Sequence, residues 1–314
     1  MRIIFFGTPH FAVPSLEALL AAGHDIALVV TQPDRPHPRH HTQTVPPPVK
    51  SCALAAGIPV VQPERPRGEE FLCQLRAANA DLGVVVAYGH LLRPELLAIP
   101  RLGLVNVHAS LLPRWRGAAP IHWALLSGDR ESGVTIMRLE QGLDSGATWH
   151  TRHTPILPTD TTGALFERLS HIGAEALVET LPRIGGGEQP VPQSDQGVTL
   201  APKIDRETAR IRWDESAEAV SRRIRAMDPA PGAWTTLDGH EIKLFGATPR
   251  PAAGSGGASG DAVPGTLTIA DHTLLVACSD ASLAIHEIQP AGKRRMSAHD
   301  WINGGGVTAG MRFT

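Results

Sequence analysis

Asn106 and His108 stand two residues apart in the run Gly103-Leu104-Val105-Asn106-Val107-His108. Side chains alternate across a strand, so this amide and this imidazole point the same way at the carboxyl end of an otherwise apolar strand. Polar groups there need partners or a task. They fit satisfied packing residues, and they fit the edge of a site, the more so because Ser110-Leu111-Leu112-Pro113 interrupts the chain directly afterwards. A carboxylate is the missing member of a proton-handling set. The candidate is Asp144, in the turn Gln141-Gly142-Leu143-Asp144-Ser145-Gly146. Gly142 and Gly146 permit backbone conformations that could carry the acid into a pocket, although an ordinary Asp turn has the same spacing.

Other chemistries find little support. The first strand-to-helix turn, Gly7-Thr8-Pro9-His10-Phe11, lacks the GxGxxG pattern and has Pro9 where a backbone donor would serve a phosphate. It reads as a tight turn. Cys52, Cys73 and Cys278 are odd in number, far apart and without CxxC spacing. Neither a disulfide framework nor a thiolate zinc site is expected, and a reducing cytoplasm fits.

The elements that must hold these residues follow from periodicity. Apolar runs at 2–7, 25–31, 58–61, 81–87 and 103–108 alternate with helical spacing at 11–22, 49–56 and 69–78. Continuous apolar strands between helices predict a doubly wound, mostly parallel α/β sheet covered on both faces. Pro14 falls in a first helical turn, and Gly23 and Gly57 sit where left-handed caps would end helices. Strands at 134–137 and 148–151 and a long helix at 161–181 complete this half. Residues 185–200 mix Gly, Pro and polar side chains without a period and read as a linker. A helix at 216–227 and short segments at 233–237, 241–246, 265–270, 273–278 and 282–288 suggest a small β-barrel. The stretch 250–265 is low in complexity and reads as a loop between two barrel strands.

The chain's 314 residues are about twice the usual domain size, and 42% apolar content suffices for real cores. A net charge of −2 with 19% charged residues argues against disorder and against nucleic-acid binding by bulk charge. Residues 200–314 carry 13 basic and 13 acidic side chains, so a polyanion would have to be met by local clusters. The opening Met1-Arg2-Ile3-Ile4-Phe5-Phe6-Gly7 is too short for a signal peptide. No stretch reaches the roughly 20 apolar residues of a membrane helix.

The run Asn106-Val107-His108-Ala109-Ser110-Leu111-Leu112-Pro113-Arg114-Trp115-Arg116-Gly117-Ala118-Ala119-Pro120-Ile121 closely resembles the signature of the methionyl-tRNA formyltransferases. Similar matches are Phe6-Gly7-Thr8-Pro9-His10-Phe11, Thr31-Gln32-Pro33-Asp34-Arg35-Pro36, Val86-Ala87-Tyr88-Gly89 and Leu143-Asp144-Ser145-Gly146. In the second half, Ala201-Pro202-Lys203-Ile204, Ile224-Arg225-Ala226, Pro231-Gly232-Ala233-Trp234 and Gly292-Lys293-Arg294-Arg295-Met296 resemble the family's C-terminal module. The Asn, His and Asp with SLLP are shared among formyl-folate enzymes in general. The longer PRWRGAAPI and the C-terminal module separate this chain from most of them, with amino-sugar formyltransferases as the nearest alternative.

The resemblance implies a formyltransferase-type Rossmann-like domain at 1–184, a linker at 185–203 and an OB-like, tRNA-binding barrel at 204–314. It implies transfer of a formyl group from 10-formyltetrahydrofolate, a co-substrate, to the amino group of methionyl initiator tRNA, with no metal. Asn106, His108 and Asp144 would be catalytic: amide and imidazole facing the carbonyl oxygen, the carboxylate pairing with the imidazole. Tyr88, Gly89, His90, Leu91, Ser110, Leu111, Leu112 and Pro113 would bind the folate. Arg39, Arg222, Arg223, Lys293 and Arg294 would meet tRNA. The loop from His37 to Pro48 departs from the family's glycine and lysine pattern, leaving Arg39 in the basic position with His40 and His41 beside it. A cytoplasmic monomer without membrane association is expected.

Overall fold

The computed structural model describes residues 1–36, 44–250 and 262–314. By internal packing the chain forms two units. Met1–Pro120, Glu131–Pro155 and Phe166–Ala201 make the first; Ile121–Arg130, Ile156–Leu165 and Pro202–Thr314 make the second.

Unit 1 is built on a seven-stranded sheet. Its strands are β1 (Arg2–Gly7), β2 (Asp25–Val30), β5 (Val60–Val61), β6 (Leu82–Val86), β7 (Leu104–His108), β9 (Glu131–Arg138) and β10 (Thr148–Pro155), in the order β10-β9-β7-β6-β1-β2-β5. Two-residue strands β3 (Arg35–Pro36) and β4 (Thr44–Val45) pair separately, as do β8 (Arg116–Gly117) and β11 (Leu200–Ala201). The five strands from β7 to β5 run parallel, while β9 is antiparallel to β7 and β10 to β9. Ile3, Phe5, Val84, Val86 and Val105 are fully buried, as strands covered on both faces must be. From central β1 the chain moves to β2 and β5, then returns to β6 on the other side. That reversal opens a crevice beyond the carboxyl ends of β1 and β6, where open α/β sheets bind ligands.

The unit's helices are α1 (Val13–Ala21), α2 (Pro48–Ala55), α3 (Glu69–Ala77), α4 (Pro94–Leu97) and most of α6 (Thr162–Gly185); α5 (Pro120–Ser127) lies almost wholly in unit 2. Pro14 sits in the first turn of α1, and Gly23 and Gly57 follow α1 and α2 in left-handed conformation, as their residue types predict.

The expected linker at 185–203 is mostly a bound strap of unit 1. Val191 and Thr148 exchange two backbone hydrogen bonds of 2.8 Å, and β11 pairs in parallel with β8. Hydrogen bonds hold this segment in place of an apolar face, so it carries no hydrophobic period. The expected boundary also misses two earlier segments. Trp123 Nε1 donates to Pro202 O at 2.8 Å and Thr162 Oγ1 to Ala226 O at 2.6 Å, within unit 2.

In unit 2, α7 (Ala217–Ala226) starts at Ser216, whose hydroxyl accepts from Ala219 N, and buries Val220 and Ile224. An antiparallel sheet runs β12 (Ala233–Leu237), β13 (His240–Arg250), β16 (Ser282–Pro290), β15 (Thr273–Ala277), β14 (Leu267–Ala270), with β17 (Met296–Ser297) also on β16 and α8 (Ala298–Asn303) after it. Residues 311–314 join its two edges. Leu267 N donates to Met311 O at 2.8 Å and Phe313 N to Gly265 O at 2.9 Å, while Thr236 and Thr314 exchange backbone bonds of 3.0 and 2.9 Å. The sheet is thereby a closed barrel. Gly265, at φ +90°, permits this approach, because a Cβ there would lie 2.3 Å from Phe313 O.

Candidate active site

Asn106 and His108 share one side of β7 at its carboxyl end. Asn106 is half-buried, and its amide makes no hydrogen bond among the described residues. His108 is only 5% exposed. Its Nε2 lies 2.9 Å from Trp115 O, and since a carbonyl can only accept, Nε2 carries the hydrogen. Its Nδ1 faces Asp144 Oδ2 at 3.7 Å, a contact that becomes an ion pair when the ring takes a second proton. The family resemblance paired this imidazole with this carboxylate, and the fold brings them together.

Asp144 Oδ2 also accepts from Gly117 N at 2.9 Å, which leaves Oδ1 without a hydrogen-bond partner among the described residues. Asp144 and Trp115 hold φ at +47° and +61°. Left-handed backbone costs a non-glycine residue about 1–2 kcal/mol, so both conformations must be held from outside. Gly117 sits between β11 and the acid at φ +123°; a Cβ there would lie 2.7 Å from Ala201 O.

Ser110 is buried, and its Oγ donates to Arg114 O at 2.7 Å. Thr135 Oγ1 donates to Ser110 O at 2.7 Å and accepts from Leu112 N at 3.2 Å, pinning the Ser110–Pro113 turn from β9. Ser110 therefore shapes the turn with its hydroxyl engaged inside the protein, while Leu111, Leu112 and Pro113 remain half-buried beside it. Thr135 was not apparent from sequence; its one signal is a polar side chain within an apolar strand, opposite His108 in register.

At the end of β6, Tyr88 is 1% exposed and packs edge-on to Phe6, with ring centroids 5.6 Å apart. Its side chain belongs to the core, its hydroxyl has no hydrogen-bond partner among the described residues, and burial pushes its pKa up to about 12. Its carbonyl accepts from Thr8 Oγ1 at 3.1 Å and Gln32 Nε2 at 2.9 Å, so two residues from the matched motifs, given no role by sequence, set this turn. Gly89 and His90 are exposed, and Leu91 is 86% exposed.

The basic residues divide. Arg223 Nη1 donates to Thr208 O at 2.9 Å and Nη2 to Glu215 at 2.9 and 3.0 Å, so this expected phosphate contact is instead an internal brace of unit 2. Arg225 Nη1 likewise donates to Asp160 O at 3.1 Å. Arg222 pairs with Glu218 at 3.7 Å one turn away, the ordinary arrangement of a helix face. Lys293 and Arg294 are exposed, whereas Arg295 bridges Asp228 and Glu287 over the Phe245 ring. Arg39, His37, His40 and His41 lie outside the described residues, as does most of 250–265. Among the described residues no three His, Cys, Asp or Glu side chains group to hold a metal, and no helix is long and apolar enough to cross a membrane.

Two family models match the chain, "Formyl transferase" over residues 1–181 and "Formyl transferase, C-terminal domain" over 203–306. The methionyl-tRNA formyltransferase of Methylococcus capsulatus is 47% identical over 310 residues, 96% of both chains. That of Roseobacter denitrificans is 45% identical over 313 residues, 100% of this chain and 99% of its own. Among solved structures, HypX from Aquifex aeolicus in complex with tetrahydrofolic acid matches with TM-score 0.66 at 18% identity, covering 96% of this chain and 47% of that one.

Proposed function

Because this chain belongs to the methionyl-tRNA formyltransferase family, we propose that it transfers a formyl group from N10 of 10-formyltetrahydrofolate to the amino group of methionine on initiator tRNA, with Asn106, His108 and Asp144 as its chemical centre. The observation that carries the residue assignment is the contrast within the site. The Asn106 amide and Asp144 Oδ1 have no protein partners among the described residues, while both nitrogens of His108 face protein oxygens. The groups that can meet substrate are thus an amide donor and a carboxylate oxygen, with the imidazole holding the carboxylate in place.

Acyl transfer to an amine passes through a tetrahedral species. The amine lone pair forms the new N–C bond, and the carbonyl electrons move to oxygen, where the Asn106 N–H donates to the developing charge. The amine proton passes to Asp144 Oδ1, which before the transfer is a carboxylate whose charge a protonated His108 would balance. Collapse restores the carbonyl and breaks the bond to N10, which takes the proton from Asp144 and leaves as tetrahydrofolate. The exposed backbone of Gly89 and His90 beside Leu91 offers polar groups and an apolar edge suited to a flat pterin. Lys293 and Arg294 are the exposed cations proposed for tRNA phosphates. The acceptor, a charged tRNA, sets the reaction in the cytoplasm.

One assay tests the reading. With 10-formyltetrahydrofolate as donor, charged initiator tRNA, charged elongator tRNA, nucleotide amino-sugars and water are compared as acceptors. Formylation of charged initiator tRNA is expected, and formylation of the sugar alone would overturn it. In the same assay Asn106→Ala is expected to lower kcat by about 10²–10³-fold with little change in folate KM.

A further inference from the structure

We infer that the strap 193–201 sets the contact between His108 and Asp144, with Gln193 as the positioning residue that holds the Asp144 turn. This rests on the reading of Asp144 given above. Gln193 Nε2 donates to Asp144 O and to Gly146 O, both at 2.8 Å, spanning the turn that carries the acid. Its Oε1 accepts from Arg116 Nε at 3.0 Å and Nη2 at 2.7 Å. A guanidinium only donates, so the amide oxygen must face Arg116 and the NH2 must face the two carbonyls.

The same strap holds the other side of the contact. Trp115 N donates to Thr199 Oγ1 at 2.9 Å, Arg116 N to Thr199 O at 2.9 Å and Ala119 N to Ala201 O at 3.1 Å. Trp115 in turn holds His108 through its carbonyl, and Gly117, paired in register with Ala201, holds Asp144 through its N–H. Trp115 and Asp144, both non-glycine residues in left-handed conformation, are therefore tied to one segment. Loss of the Gln193 bonds would let the Asp144 turn relax away from His108 without removing any group that meets substrate.

The test measures kcat, both KM values and Tm for the wild type, Asp144→Asn, Gln193→Ala, Gln193→Glu and the Asp144→Asn/Gln193→Ala double variant. A misplaced catalytic group costs rate more than affinity, so Gln193→Ala is expected to lose about 10-fold in kcat with KM values within about two-fold. Gln193→Glu keeps the Arg116 contact but has no N–H for the two carbonyls, so it should lose as much, and it carries the test if the alanine variant does not fold. The double variant should be no slower than Asp144→Asn alone, because Gln193 acts through that residue. Wild-type kcat in Gln193→Ala and Gln193→Glu beside a slow Asp144→Asn, or losses that multiply in the double variant, would overturn this inference alone. An Asp144→Asn enzyme at full rate would overturn the assignment of Asp144 and this inference with it.

Discussion

Tyr88 separates a family position from a side-chain role. Its backbone turns beside the crevice, but its ring is in the core with a hydroxyl unpartnered among the described residues. A buried hydroxyl without a partner loses its hydration and gains nothing in return, so Tyr88→Phe should leave Tm unchanged or slightly raised and turnover unaffected. The sign with pH follows from the raised pKa. Between the ordinary value of 10.0 and about 12 the unfolded chain ionises at Tyr88 while the folded one stays neutral, so stability falls as pH rises through that window. Denaturant titrations from pH 9 to 12 should show a smaller alkaline loss for Tyr88→Phe; equal losses would remove this account. Alternation marked Asn106 and His108 as side chains sharing one face, whereas the glycine-bracketed turn of Asp144 is no different from an ordinary Asp turn, and it was the family resemblance that joined the three. Trp115 contributes a backbone carbonyl, which every residue has, and Gly117 a backbone N–H, which every residue but proline has; the glycine marks a close approach to Ala201 but not the hydrogen bond to the acid.

The sheet was legible for the same reason that the strap was not. Strands buried on both faces need apolar runs, and β1, β2 and β6 have them, while β7 departs only at Asn106 and His108; the strap is held by hydrogen bonds, which leave no hydrophobic period. The barrel's short strands were also visible, but the pairing that closes it comes from residues with no strand pattern. Phe313 seals that seam: it is 1% exposed and stacks on Trp213 with centroids 5.6 Å apart at 18°. Phe313→Ala should cost ~3–5 kcal/mol by loss of burial and the cavity left behind. A denaturant midpoint that does not move would mean the seam contributes little to the barrel.

At the scale of the whole molecule, a chain with net charge −2 must hold a polyanion through few cations, and the arginine cluster at Arg222–Arg225 is largely committed elsewhere. Sequence could not reveal this, because the partners of Arg223, Thr208 and Glu215, lie outside its own helical turn. Removing one cation that neutralises a phosphate should reduce the slope of log affinity against log salt by roughly 0.7–0.9. Lys293→Ala and Arg294→Ala should therefore flatten the salt dependence of tRNA binding. Arg223→Ala should lower Tm and leave the slope as it was. A flattened slope in Arg223→Ala would reverse this division. The borrowing of Ile121–Arg130 and Ile156–Leu165 by unit 2 bears on grafting. A chimera that exchanged the barrel at the Ala201–Pro202 junction would pair the incoming piece with a foreign Trp123 and Thr162. Transplanting it intact means moving three separate stretches of the gene, two of them from inside the coding region of the other half.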